Sequence, residues 1–303
     1  MNSEISSTSD LDSLPELPVD ATSSSDTDKD IALSDAPKSK YETRFVGFVD
    51  LLGFTQIVLK TSEEAYRLTQ LSEDRVMLLG QIVDALSIPQ TDYAEEFYFL
   101  LGENIPTSPL IVSRTFSDCV MFSAEHSAHG LGLLLHSIFR LSRFMMLKGF
   151  YCRGAITIGE IFWQDKDGRH PIVFGPALNK AIILERKHAD ISRVIFCNTS
   201  AKKLEEYIKQ SAQNKLSEIL NSHTSQAKDG PWQVNLFADF IDISDGEKAE
   251  KKDELNVLAD KLKKVMLEYT EEPRVFRKLR AIAEQVNDVA KKIGIEERLI
   301  PLP

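Results

Sequence analysis

Basic residues are in short supply in this chain: 36 Lys and Arg stand against 46 Asp and Glu, giving a formal charge of −10 and a pI near 5.2. That balance excludes a protein that grips DNA or RNA through its phosphates, because such binding rests on a positive surface. A small anionic substrate stays open wherever cations gather locally. Cysteine is scarce as well. Cys119, Cys152 and Cys197 lie in separate apolar runs and make neither a CxxC pair nor a metal-ligand spacing, so they read as reduced core residues of a cytoplasmic protein. No stretch approaches the roughly 18 consecutive apolar residues of a membrane span, and the amino terminus lacks the charged-then-apolar order of a signal peptide. The expectation is a protein neither exported nor embedded. The phosphate loop, the Gly-x-Ser-x-Gly elbow and His-Glu-x-x-His are missing too, and His126 and His129 sit near a helix start with no third ligand close by.

With 303 residues, 43% of them hydrophobic, the chain can bury one good core and a small appendage. Residues 1–40, rich in Ser, Asp and Thr, are expected to form a disordered tail. Residues 41–245 are expected to form the main domain and 246–303 a helical extension. The β-branched and aromatic run TRFVGFVDLL predicts a buried strand that ends at Gly53. Helical spacing over 54–86 predicts two helices with a break near Ser62. LIVSRTFSDCVMFS predicts a tight hairpin with Asp118 at its tip. Next comes an amphipathic helix over 127–148, with Leu131, Leu134, Leu135, Ile138, Leu141 and Met145 on one face. YCRGAITIGEIFW reads as a strand pair or one long bent strand, and PIVFGPALNKAIILERKHA as a short strand passing through Gly175 into a helix. SRVIFCNTSAKKLEEYI gives a further strand and helix, WQVNLFADFIDI a closing strand, and 247–293 a charged helical pair. Strand, helix, hairpin, helix, strand is the order of an α+β, ferredoxin-like split βαβ domain.

Two acids stand out within that order. Asp50 is flanked by Phe48, Val49, Leu51 and Leu52, so an ionised carboxylate there needs a cation or donors to offset desolvation. Asp118, at the hairpin tip, would face it from an adjacent element. Divalent ions between the two would relieve their repulsion, and hard carboxylate oxygens suit Mg²⁺ or Mn²⁺, which also carry substrate phosphates. Taken singly, Asp50 reads equally well as a helix cap and Asp118 as a turn residue.

FVDLLGFT (48–55) resembles the first metal motif of class III nucleotidyl cyclases, and RTFSDCVMFS resembles their second. RGAITIGEIF together with FGPALNKAIILE resembles the strand and Gly-led helix that supply substrate contacts in that family. The likeness spans about 43–200. Within the family the chain is most similar to the bacterial pyrimidine cyclases of Pycsar antiphage defence, on three features. Arg114 stands at the base-selecting position four residues before the second acid, Ile172 stands at the other base-selecting position, and a Gly-x-Ala-Leu-x-x-Ala-x-x-Leu-Glu run extends from Gly175 to Glu185.

The resemblance implies a site with two Mn²⁺ or Mg²⁺ ions held by Asp50, Asp118 and the Leu51 carbonyl. Asp50, Asp118 and Asn179 would be catalytic, while Phe48, Leu52, Gly53, Phe54, Thr55, Arg114, Ile172 and Lys180 would contact substrate. It implies a homodimer with shared sites, no nucleic-acid or membrane partner, and a cyclic nucleotide product that acts on a separate effector protein. Arg114 as a donor to pyrimidine carbonyls, beside an apolar Ile172, tilts the expectation to UTP and cyclic UMP. Cyclic CMP synthesis and a cyclase-homology domain without catalysis remain as alternatives. One departure is plain: the family's transition-state Arg, four residues after the Asn, falls on Ile183. Lys180, Arg186 and Arg153 are the candidate replacements.

Overall fold

A computed structural model describes residues 41–54, 80, 90–107, 110–164, 172–210, 214–240, 243–244, 246–295 and 299–302. The first strand, β1 (Tyr41–Leu51), alternates as a two-sided buried strand should. Phe45, Val49 and Leu51 enter the main core, whereas Val46 belongs to a second cluster with Met121, Ile161 and Ala177 on the other face. The hairpin follows as β2 (Ile111–Phe116) and β3 (Cys119–Glu125). The segment from 152 forms one long strand, β4 (Cys152–Gln164), joined antiparallel by the short β5 (Ile172–Phe174). With β6 (Val194–Phe196), β7 (Thr224–Gln226) and β8 (Trp232–Val234), the sheet runs β2-β3-β1-β4-β6-β8-β7. In its first four strands β1 lies between β3 and β4 and is antiparallel to both. That is the split βαβ arrangement expected from the element order, in an α+β fold.

Seven α-helices appear in full among the described residues. They are α1 (Gln90–Leu101), α2 (Ala128–Leu147), α3 (Pro176–His188), α4 (Asn198–Gln210), α5 (Lys215–Ser222), α6 (Lys248–Glu268) and α7 (Pro273–Lys292). The Ser127 hydroxyl caps α2, accepting from the Gly130 N–H at 3.0 Å. The expected single apolar face of α2 is corrected by the structure, since the helix is buried on nearly every side. One side packs on the sheet, and the others meet α1, α5 and α6. By length and composition α2 is long and apolar enough to cross a membrane, but most of that stretch is buried within the fold.

The two helices expected over 54–86 fall almost wholly outside the described residues; Phe54 and Gly80 are helical. The closing strand is shorter than expected. It stops at Val234 because Asn235 diverts the backbone: its amide donates to the Ser222 carbonyl at 2.8 Å, and its side-chain oxygen accepts from the Phe237 N–H at 3.1 Å. The chain then winds into a 3₁₀ turn at Ala238–Phe240. The charged pair near the carboxy terminus forms α6 and α7, whose Leu255, Leu262, Leu279, Ile282 and Val286 join the main core.

Between α2 and α5 a histidine pair is sealed in, with His136 Nδ1 3.2 Å from His223 Nε2. Burial, then the neighbouring imidazole, drives the His223 pKa from its ordinary 6.5 down to about 3. Below pH 6.5 the unfolded chain therefore takes up a proton that the folded chain refuses, and stability falls as pH drops from about 6.5 toward 3. At pH 5 this amounts to roughly 2 kcal/mol relative to neutral pH. Urea unfolding at pH 7 and pH 5 should show that loss, and His223→Gln should flatten it by a similar amount.

Candidate functional site

The pairing of β1 sets the site. Asp50 is registered against Cys119 of β3 on one side and Arg153 of β4 on the other. Asp118 occupies the two-residue loop between β2 and β3, where Ser117 takes φ +54°, the sign required at the first position of a type II′ hairpin turn. The Leu51 N–H donates to the Asp118 carbonyl at 3.0 Å, which pins the hairpin tip beside the end of β1. The two sequence-predicted acids thus lie on adjacent elements at one corner of the sheet, and each carries its charge into the other's field.

Gly53, at φ +80°, turns the chain immediately after β1, a conformation that favours glycine. The Leu52 N–H fixes that turn to the Tyr151 carbonyl at 2.8 Å. Beside Arg153, Gly154 permits a close approach of β1 to β4, since a Cβ there would stand 2.3 Å from the Phe48 carbonyl oxygen.

Burial pushes the Asp50 carboxyl above its ordinary range. Hydrogen bonds and charge from Arg153 oppose that push, and Asp118 adds to it. Arg153 Nε and Nη2 both donate to Asp50 Oδ2, at 3.2 and 3.1 Å. The same Nε lies 2.5 Å from Oε1 of Glu185, an α3 carboxylate whose side chain is 2% exposed. This second contact is an ion pair without hydrogen-bond alignment, and Glu185 Oε1 has no hydrogen-bond partner. Burial raises the Glu185 pKa, Arg153 counters it, and Asp50 adds to it. The inward stripe of α3 that delivers Glu185 is Ala177, Ala181, Glu185, two small residues that let the helix sit close to β1 and β4. From the carboxy-terminal α7, the half-buried Lys278 joins the same field. Its pKa is lowered by burial and then by Arg153, against the pull of Asp190, Glu185 and Asp50.

The other predicted residues are placed as follows. Phe48 and Arg114 share a row two residues from Asp50, through the pairings Phe48 with Met121 and Met121 with Arg114. The Arg114 Nε is buried without a hydrogen-bond partner. Leu52 and Phe54 are half-buried, Gly53 is exposed, and Thr55 lies outside the described residues. Ile172 pairs its backbone with Gln164 at the far end of β4. The Arg114 row meets β4 at Ala155, so nine residues, at most about 30 Å of strand, separate that row from Ile172 along β4. Asn179, Lys180 and Ile183 lie on the exposed side of α3. Of the three candidate cations, Arg153 is the one bonded to Asp50. Lys180 sits in the field of Cys197, and Arg186 is exposed beside Glu185. Sequence reasoning missed Glu185 as a site residue and missed Lys278 altogether. The four-residue Ala-Ala-Glu spacing could have found Glu185; the sequence carries no local signal for Lys278.

A divalent ion fits the donor set at this corner. Asp50 and Asp118 offer hard oxygens, and a desolvated acid beside a second acid is relieved by a cation. No group of three or more His, Cys, Asp and Glu side chains with metal-binding geometry occurs among the described residues, so other oxygens, such as substrate phosphates, would complete the shell. A cavity of about 410 Å³ lies elsewhere, between α1, α2 and α6, where Arg143, Lys251, Asp239 and Glu254 pair with one another along its wall.

No protein-family model and no curated protein matches the chain. Solved structures with a similar course of chain include the adenylyl cyclase CyaB from P. aeruginosa (15% identity, 66% of this chain and 96% of that one, TM-score 0.39). The guanylyl cyclase domain of the RhoGC fusion protein from Blastocladiella emersonii is another (14%, 65% and 98%, 0.38). A third is the guanylate cyclase domain of RhGC from Catenaria anguillulae in complex with GTP (13%, 64% and 94%, 0.35). Superpositions this loose leave the chemistry to be argued from the chain's own residues.

Because Asp50 is disfavoured when ionised in the folded state, Asp50→Asn should raise the melting temperature at pH 8. The gain is complete above the raised Asp50 pKa and vanishes as pH falls to the ordinary 3.8. Scanning calorimetry of both proteins from pH 8 to pH 4 reads this directly.

Proposed function

We propose that this chain is a nucleotidyl cyclase that closes a nucleoside triphosphate into a 3′,5′-cyclic monophosphate and releases pyrophosphate. The observation that supports it is the convergence of Asp50 and Asp118 at one corner of a split βαβ sheet. In this reaction the substrate's 3′-oxygen bonds to the α-phosphorus, the bond from that phosphorus to the β-phosphate bridging oxygen breaks, and the hydroxyl proton is lost. No protein nucleophile is required, so positioning and charge carry the catalysis. Two divalent ions, Mg²⁺ or Mn²⁺, would supply acidification of the hydroxyl and neutralisation of the leaving phosphates. Asp50, Asp118 and the Leu51 carbonyl are the groups that would hold them. With the Leu52 N–H taken by the Tyr151 carbonyl, the N–H groups of Gly53 and Phe54, where the chain becomes helical, are the ones that would cradle phosphate.

The finer reading is a uridylate cyclase serving as an alarm in antiphage defence, cytoplasmic, with its cyclic UMP acting on a separate effector. Arg114 supports it: a buried guanidinium N–H without a partner is a donor in want of an acceptor, and uracil presents two carbonyls. Asn179, Lys180 and Ile183 face outward on α3, where a second copy of the chain could use them. The active form is therefore taken to be a homodimer, with metal ligands from one protomer and α3 contacts from the other.

Purified chain incubated with Mn²⁺ and each of the four nucleoside triphosphates should yield cyclic UMP as the main product. Asp50→Asn and Asp118→Asn should each lower the rate at least ~1000-fold while the protein stays folded. Cyclic AMP as the dominant product would remove the pyrimidine reading, and a wild-type chain that makes no cyclic nucleotide at all would reduce the protein to a non-catalytic relative.

A further inference from the structure

Arg153 holds Asp50, the acid that the cyclase reading assigns to a metal. Its guanidinium contacts Asp50 at 3.1 Å and Glu185 at 2.5 Å, and Asp118 lies within the field of Asp50. At this corner four carboxylates, Asp50, Asp118, Glu185 and Asp190, act together with three cations, Arg153, Arg186 and Lys278, so negative charge is in excess. The two bonds Arg153 now makes both fall on one oxygen, Asp50 Oδ2. Glu185 Oε1 is buried and close, yet holds no aligned hydrogen bond. A buried carboxylate oxygen left so is an acceptor in reserve.

We propose that Arg153 is a counter-ion latch: it neutralises Asp50 while the site is empty of metal, and yields Asp50 to a divalent ion by transferring its hydrogen bonds to Glu185. This deepens the cyclase reading and rests on its assignment of Asp50 as a metal ligand. Arg153 and Glu185 are thus positioning residues, with Glu185 acting through Arg153. The residue types suit the task. A guanidinium keeps its charge in a half-buried setting and offers a fork of donors that can turn from one carboxylate to the next. Glu185, carried on a helix packed against β1 and β4, is a fixed receiver. Without it, Arg153 would have Asp50 as its sole anchor and would compete with the metal at full strength. Without Arg153, the metal would be spared the hydrogen-bonded competitor that Asp50 has among the described residues.

Mn²⁺ binding to the full chain, measured by calorimetry without nucleotide, tests the latch independently of turnover. Arg153→Gln should bind Mn²⁺ about tenfold more tightly than wild type and Glu185→Gln about tenfold more weakly, the scale of one charge-assisted hydrogen bond. The double variant should match Arg153→Gln, because Glu185 has nothing left to act through. Additive shifts would mean that the two charges act only through their fields, and unchanged affinities would mean that they do not act on the metal; either result overturns the latch and leaves the cyclase reading standing. Wild type that binds no Mn²⁺ would overturn the metal site and the latch together. Should a variant fail to fold, a crystal structure of wild type with Mn²⁺ decides: Arg153 displaced from Asp50 and bonded to Glu185 supports the proposal, whereas Arg153 still bonded to Asp50 beside the bound ion overturns it.

Discussion

A slip of one residue in the pairing of β1 would turn Asp50 toward α2 and bring Val49 or Leu51 out to face Arg153. Side chains alternate between the faces of a strand, so a one-residue shift moves the whole set. The register is held from several directions at once. Phe45, Val49 and Leu51 are buried on the α2 side, Val46 on the α3 side, and the Leu51 and Leu52 N–H groups are fixed to the Asp118 and Tyr151 carbonyls. Apolar burial thus specifies the position of a carboxylate that itself contributes no apolar burial. The chemistry at the corner is set by packing several residues away.

The same packing exacts a cost in charge. Ion pairs that lose water recover the loss only through short, well-aligned partners, and here Asp50 and Glu185 share a single guanidinium. Both acids are pushed above their ordinary range despite it. A sheet corner built for stability alone would carry apolar residues of the same size. Two acids on one arginine, with Asp118 in the field of Asp50 at a place where glycine lets two strands approach and a hairpin tip is pinned, make an electrostatically costly corner of the kind that marks candidate functional sites.

Local signals made the first half of the fold legible. β-Branched and aromatic runs ending at glycine marked β1, two apolar half-strands around Ser117 and Asp118 marked the hairpin, and Gly175 marked the passage into α3. The order of those elements carried the split βαβ topology with it. The strand Thr224–Gln226 escaped because three residues are too few to show a period, and the closing strand, expected over WQVNLFADFIDI, is only Trp232–Val234 because its end is set by the hydrogen bonds of Asn235. Helix α5 and the buried sides of α2 escaped because each depends on what packs against it, which no window of sequence reports. At the site, Asp50 and Asp118 were legible as motif residues. The bond from Arg153 to Asp50 spans 103 residues and was not legible; Arg153 stood out only as one of three candidates to replace the family's transition-state arginine.

Lys278 shows why the carboxy-terminal helices belong in the electrostatics of the site. Helix α7 buries Leu279, Ile282, Ala283 and Val286 in the main core, and that anchoring brings the neighbouring Lys278 into the field of Arg153, Glu185 and Asp50. A lysine so held is disfavoured by burial and by the arginine, and favoured by the acids, so its charge responds to whatever changes the balance among them. Adding a divalent ion at Asp50 makes the corner less attractive to both cations at once. Arg153 has Glu185 to receive it, while Lys278 is drawn by Asp190 and Glu185 as well as by Asp50. The extension is thereby coupled to the corner through charge, since the packing of α7 sets where Lys278 stands relative to Arg153, Glu185 and Asp50.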